Sequence, residues 1–272
     1  MRVFALSGLH ADYAENLQWI LDLSDSEYQQ DILVLAGDVT DSLQILAQVF
    51  RALRSKFREV LFVPGNHELW VQNDAVNCSL EKFGLIAELC AVEGIRQSAY
   101  ECGEVSFVPL YSWYDFSFGE PDRHLRRAWR DFKACAWPAD LPDSAAINRY
   151  FLAMNESVLD TRNTTVISFS HFIPRIDVMP TQIPLERRRV YPVLGSVALG
   201  EQIKQLQPNI HIYGNSHVNQ SVELDNIRYV NNAFAYPQEE RIARKQLHCV
   251  YGDCVYGDCV YGDCVYGDNH AA

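Results

Sequence analysis

Val60-Leu61-Phe62-Val63-Pro64-Gly65-Asn66-His67-Glu68 is the stretch on which the fold turns. An apolar run ends in Pro-Gly, and three side chains able to bind a metal or move a proton follow at once. Proline has no N–H to give a central strand, so the run reads as a buried strand stopped by a tight turn. Asn66 and His67 then stand at the carboxyl end of that strand, where open α/β sheets keep their sites.

Working outward, four other apolar runs end the same way. Arg2 to Ser7 runs into Gly8-Leu9-His10. Asp31 to Ala36 runs into Gly37-Asp38-Val39-Thr40-Asp41. Thr165 to Ser170 runs into His171. Ile210 to Tyr213 runs into Gly214-Asn215-Ser216-His217. Taken singly, each of these residues is as readily a turn residue, a helix cap or a satisfied core histidine. Five strand ends of the same chemistry make that joint explanation poor.

The intervening segments supply helices. Asp12-Tyr13-Ala14-Glu15 has the spacing of a capping box, with Leu17, Ile20 and Leu21 following at helical intervals. Asp41-Ser42-Leu43-Gln44 repeats the spacing and opens a helix through about Phe57. Strand, helix, strand, helix, strand is the pattern of parallel βαβ units with right-handed connections. Further helices are expected over 78–89, 145–159 and 196–206, and strands over 105–109, 221–224 and 227–230. Asp225-Asn226 between the last two is a hairpin signal. Residues 111–137 mix aromatic and basic side chains and read as a cap beside the site or as a packing layer with a basic outer face. Residues 172–195, rich in proline pairs and carrying Arg187-Arg188-Arg189, read as a long structured loop at the site.

A chain of 272 residues with 48% hydrophobic content has the size of one α/β domain. Its 35 acidic against 23 basic residues, net charge −12, argue against nucleic-acid or membrane-surface affinity. The N-terminus enters a strand without signal-peptide character, and no apolar stretch has the length of a membrane span. The expectation is a soluble cytoplasmic protein in which Cys78, Cys90, Cys102 and Cys135 are reduced thiols. The expected single domain covers 1–248. Beyond it, Cys-Val-Tyr-Gly-Asp recurs four times in tandem from Cys249 to Asp268. That repeat lacks paired Cys-x-x-Cys spacing and is expected to be a poorly ordered tail.

The strand ends together offer imidazole, carboxylate and amide donors, a set suited to manganese, iron or zinc. Asp38 is placed to bridge two ions. Two ions about 3.5–4 Å apart clamp a phosphate ester and activate a shared water. His67, beside Asn66, is then the candidate general acid for the leaving alkoxide. The order and spacing of Gly37-Asp38-x-x-Asp41, Gly65-Asn66-His67-Glu68, the lone His171 and Gly214-x-x-His217 resemble the calcineurin-like metallophosphoesterase superfamily, from Arg2 to about Pro237.

That resemblance implies a four-layer α/β/β/α sandwich with two metal sites at the strand ends. It implies His10, Asp38 and His217 as ligands of a first metal, and Asp38, Asn66, His171 and Asn215 as ligands of a second. It implies a small phosphorylated substrate, a phosphomonoester or phosphodiester, attacked by metal-bound hydroxide. Asn66, His67 and Arg175 are the candidate substrate contacts. Asp41 is expected to cap and orient rather than ligate.

The chain departs from the family pattern twice. Gly8 stands where the family has a first-metal Asp, and Asn215 where it has a second-metal His. Asp12, near Gly8, is a replacement ligand or a helix cap. Two main functions follow: a hydrolase with weakened metal sites, or an impaired homologue that keeps the fold and acts as a binding or scaffold protein; a nuclease acting on long nucleic acid is a third, disfavoured by the acidic balance.

Overall fold

The computed structural model of the chain describes residues 1–253. In chain order it runs β1 (Val3–Leu6), α1 (Ala14–Asp22), β2 (Ile32–Ala36), α2 (Leu43–Lys56), β3 (Glu59–Val63) and α3 (Ser79–Glu93). There follow β4 (Tyr100–Cys102), β5 (Val105–Pro109), α4 (Arg123–Ala128), α5 (Asp131–Ala134), α6 (Ser144–Ala153) and β6 (Thr165–Phe169). The described part closes with α7 (Val197–Leu206), β7 (Ile210–Tyr213), β8 (Gln220–Leu224), β9 (Ile227–Asn231) and β10 (His248–Tyr251). One sheet has the order β10-β1-β2-β3, and the other β4-β5-β6-β7-β9-β8.

Side chains of a strand alternate between its two faces, so each inner strand feeds two cores. Val3, Ala5, Ile32, Val34, Leu61 and Val63 of the first sheet meet Val105, Phe107, Ile167, Phe169, Ile210 and Ile212 of the second. The opposite face of the first sheet, with Phe4, Leu6, Leu33, Leu35 and Phe62, receives Ile20 of α1, Leu46, Phe50 and Leu53 of α2 and Ile86 of α3. Val108, Val166 and Tyr229 on the outer face of the second sheet receive Leu199, Ile203 and Leu206 of α7. The layers are therefore α/β/β/α, as the resemblance implied.

The pairings β1-β2-β3 and β5-β6-β7-β9 are parallel, so their carboxyl ends lie together. The β8-β9 hairpin turns at Asp225 and Asn226, both left-handed (φ 53 and 62), as a two-residue type I′ turn requires. The proline-rich stretch is held in two 3-10 segments, Ile176–Val178 and Leu185–Val193.

Three local expectations are corrected. Asp12 does not cap α1, and it is not among the donors gathered with His10, Asp38 and His217. Tyr13 stands at the N-cap without a side-chain bond, and the Asp12 carboxylate accepts from Thr40 Oγ1 at 2.5 Å. The cap of α2 is Ser42 rather than Asp41, its hydroxyl accepting from the Ile45 N–H, while Asp41 accepts from Asn73 Nδ2 at 2.7 Å. The boundary drawn after residue 248 falls inside β10. The first unit of the repeat is an edge strand antiparallel to β1, pairing Phe4 with Cys249 and Ala5 with His248, and Val250 is buried between the sheets. The remaining units of the expected disordered tail lie outside the described residues.

Candidate metal centre

The loops that leave β1, β2 and β7 turn sharply at the residues that carry the chemistry. His10 (φ 46), Asp38 (φ 56), Asn215 (φ 61) and His217 (φ 56) all have left-handed backbones. Outside glycine this conformation is uncommon, and it clusters where a site over-determines the chain.

One donor atom from each of His10, Asp38 and His217 lies within 4.8 Å of the others. The Nε2 atoms of His10 and His217 face each other at 2.9 Å. Two nitrogens bound to one ion at about 2.0–2.1 Å sit about 3 Å apart, so the spacing suits a shared cation. His217 Nδ1 lies 2.7 Å from Glu239 Oε2, which fixes Nδ1 as the donor and leaves the Nε2 lone pair toward His10. Burial, with His217 and His67 close by, holds His10 well below the usual histidine range, so it is neutral, and its Nδ1 is buried with no hydrogen-bond partner. Burial alone would raise Asp38, but His171 and His67 hold it well below the usual carboxylate range. Two imidazoles and one carboxylate fit manganese, iron or zinc. Position 8 faces this group directly. A Cβ on Gly8 (φ +52) would lie 3.4 Å from His217 Nε2 and 3.7 Å from His10 Nε2.

Beside it, His171 Nε2 lies 3.4 Å from Asp38 Oδ2 and 3.1 Å from Asn66 Oδ1. His171 Nδ1 donates to the Ala36 carbonyl at 2.9 Å, which directs Nε2 into the site. The Asn215 amide donates to the Val193 and Leu194 carbonyls at 3.1 and 3.0 Å, so only its oxygen is left for another partner. The turns after β2 and β3 touch so closely that a Cβ on Gly65 would stand 2.2 Å from Asp38 Oδ1. Glu68 staples those turns, accepting from the backbone N–H groups of Asp38, Val39, Thr40 and Gly65 at 2.5 to 3.1 Å. Burial and then Asp38 push its carboxyl up to about 7 against these donors.

His67 donates its backbone N–H to Asp38 Oδ1 at 3.1 Å. Its ring lies on Trp70 with centroids 3.7 Å apart. Burial lowers it to about 4, with Asp38 opposing. It opens on a cleft of about 740 Å³ whose lining includes His10, Asp41, Asn66, Trp70, Trp129, Arg130 and Tyr236. Residues 111–137 thus divide. Trp113 and Tyr114 are buried packing, whereas Trp129 and Arg130 form a wall of the cleft. Arg175 does not line the cleft, since Asp177 and Asp225 bind its guanidinium at 2.5 to 2.7 Å. Arg187 and Arg189 line a separate, neighbouring groove.

Three residues at the centre were not singled out from the sequence. Glu239 holds His217, and Tyr236 lays its ring 4.3 Å from that of His10. Asp131, buried and pushed up to about 6 by burial, accepts from Asn66, Trp70 and Trp129. The one local signal for Asp131 is an acid set between Trp129-Arg130 and Phe132-Lys133.

Comparison with known proteins gives concordant results. The crystal structure of Phosphopantetheinyl Hydrolase (PptH) from Mycobacterium tuberculosis superposes with a TM-score of 0.78 over 93% of this chain and 96% of that one, at 21% identity, a likeness of fold. A second solved structure, 16% identical, gives 0.53 over 85% of this chain and 90% of that one. In sequence, the acyl-carrier-protein phosphodiesterase PptH of Mycobacterium tuberculosis is 29% identical over 125 residues, a match covering 43% of this chain and 38% of that relative. The family model described as Calcineurin-like phosphoesterase matches residues 1–219, the span that carries every strand-end donor, and the chain belongs to that family of metallophosphoesterases.

Proposed function

We propose that the chain is a metal-dependent phosphoesterase acting on a phosphodiester, with one ion held by His10, Asp38 and His217 and a second by Asp38, Asn66, His171 and the Asn215 oxygen. The observation that carries this is the convergence of His10, Asp38 and His217 within 4.8 Å, with Asn66 and His171 beside the shared carboxylate. Bound divalent ions supply Lewis acidity toward a phosphoryl oxygen and lower the pKa of water. The chain's own groups do the rest. Trp70, Trp129 and Tyr236 offer flat apolar walls for the leaving group. His67, lowered to about 4 by burial, takes up a proton from solvent when an anionic phosphoryl group offsets that burial, and passes it to the departing oxygen. The preference for a diester over a monoester is supported by the activity named for the relative.

The test is reconstitution with Mn²⁺ or iron, gel filtration and elemental mass spectrometry, followed by hydrolysis of bis(p-nitrophenyl) phosphate and p-nitrophenyl phosphate. His67→Ala is expected to keep the metal and to lower kcat by about 10²-fold or more. Folded protein that retains no metal under any condition would sink the proposal.

Gly8 and Asn215 favour a second reading, an impaired homologue that binds without turnover. Gly8→Asp combined with Asn215→His separates the two. The new aspartate must adopt a left-handed backbone, a strain of about 1–2 kcal/mol, but its carboxylate enters the first metal position. Activity already measurable in the natural chain, and raised only modestly in the double variant, supports the hydrolase. Activity that appears only in the double variant supports the impaired homologue.

A further inference from the structure

Asp131 opens α5, yet the residue is only 3% exposed, at the lining of the cleft. Oδ1 accepts from Asn66 Nδ2 at 2.9 Å and from Trp70 Nε1 at 2.7 Å, and Oδ2 accepts from Trp129 Nε1 at 2.7 Å. All three donors are neutral. A carboxylate buried among neutral donors carries a large desolvation cost, and apolar residues of similar volume would commonly make a more stable core. What this carboxylate provides is direction. It can only accept, so the part of the Asn66 amide that faces it must be the NH₂. The carbonyl oxygen is thereby turned the other way, to within 3.1 Å of His171 Nε2.

We propose that Asp131 is a positioning residue of the metal centre, fixing Asn66 with its oxygen toward the second metal position and tying that orientation to the indoles of the cleft wall. The inference rests on the reading of the site as a metal-dependent phosphoesterase. Its reach extends to His67. Trp70, held by Asp131 through its indole N–H, is the surface on which the His67 ring lies. A single carboxylate from the segment between β5 and α6 thus orients both members of the Asn66-His67 pair after β3. Asp131 touches neither substrate nor reacting atoms in this account; it acts through Asn66 and Trp70.

Asp131→Asn keeps the volume and replaces one accepting oxygen by an NH₂. Whichever way that amide turns, it sets a donor against Asn66 and Trp70 or against Trp129. The full chain and its variants are titrated with Mn²⁺ alone by calorimetry, with circular dichroism and thermal melting as controls of fold. Natural protein is expected to bind two ions. Asp131→Asn is expected to bind the first with unchanged affinity and the second about 10–100-fold more weakly. In an Asn66→Ala background the same change is expected to have no further effect on the second ion. Equal affinities in natural protein and Asp131→Asn, equal weakening of both ions, or additive losses in the double variant would each overturn the proposal. If Asp131→Asn does not fold, Trp129→Phe takes its place. It removes one donor from Oδ2 and is expected to weaken the second ion alone, by a few-fold; an unchanged second ion overturns the proposal. A natural protein that binds one ion overturns the role of Asp131 and leaves the phosphoesterase reading standing, whereas one that binds none removes both.

Discussion

His211 is a buried histidine that takes no part in the candidate centre. It lies on β7, on the face opposite Ile210 and Ile212, fully buried, with Nδ1 2.8 Å from Ser168 Oγ and Nε2 3.1 Å from Ser170 Oγ. Ser170 Oγ gives its proton to the Phe172 carbonyl, so it accepts from Nε2–H while Ser168 Oγ donates to Nδ1; a neutral ring is satisfied, and nothing there rewards a charge. Burial lowers His211 from 6.5 to about 3. The unfolded chain therefore takes up a proton near pH 6.5 that the folded chain refuses until near pH 3. Stability from this residue is whole above that window and falls as pH drops through it, by about 1.4 kcal/mol per pH unit. His10 and His67 are lowered as well, so the total acid slope exceeds that of one proton. His211→Gln isolates the share of His211. In urea unfolding between about pH 6 and pH 4, natural protein is expected to lose about 1.4 kcal/mol per pH unit more than the variant. Parallel slopes would show that another group carries the proton. Sequence alone separates His211 from His10 and His171 only by position, since the latter two follow a strand and His211 sits inside one.

The elements most legible in the sequence are those whose signal is local. The strands before Gly8, Gly37, Gly65, His171 and Gly214 announce themselves as apolar runs that stop at polar chemistry, and the Asp225-Asn226 turn by two residues tolerant of a left-handed backbone. Where tertiary contacts outbid local pattern, the sequence misleads. The Asp12 carboxylate is three residues before Glu15, as a capping box asks, but Thr40 of the neighbouring turn claims it. Asp131 and Glu239 serve Asn66 and His217 from 65 and 22 residues away, and no periodicity encodes such reach. β10 was obscured for another reason. Its residues belong to a tandem repeat, whose regularity hides that the first unit alternates like any strand. That assignment has a measurable consequence. Ending the chain after residue 247 removes Val250 from between the sheets and unpairs the free edge of β1. Relative to a chain ending after residue 253, it is expected to be less stable by at least about 2–3 kcal/mol, from one buried valine and the lost ladder bonds. Equal urea midpoints would place β10 outside the cooperative fold.

At the scale of the whole molecule the candidate centre is a junction between sheets. His10, Asp38 and Asn66 leave strands of the first sheet, and His171, Asn215 and His217 leave strands of the second. Between the sheets the contact is apolar and non-directional, made by side chains such as Val34, Leu61, Ile167 and Ile212. An ion bound by ligands from both sides adds a directional cross-link at one end of that interface. The unfolded chain scatters these ligands over more than 200 positions of sequence and holds no such site. Binding is therefore linked to folding, and the ion stabilises by mass action. With free Mn²⁺ at about 100 times its dissociation constant, the gain is about 2.7 kcal/mol. For a domain of this size that corresponds to a rise in Tm of about 5–10 °C. The acidic balance of the chain, net −12, works in the same direction by drawing divalent cations to it. Chelation should reverse the rise in full, and His217→Ala should remove the first ion's share of it, because that variant removes the ligand contributed to the first metal from beyond β7. Magnesium at the same concentration should do less, since its preference for oxygen donors disfavours two imidazoles. A melting temperature that ignores both Mn²⁺ and chelator would mean that the two sheets are joined by their apolar faces alone, with His10 and His217 left facing each other and nothing between them.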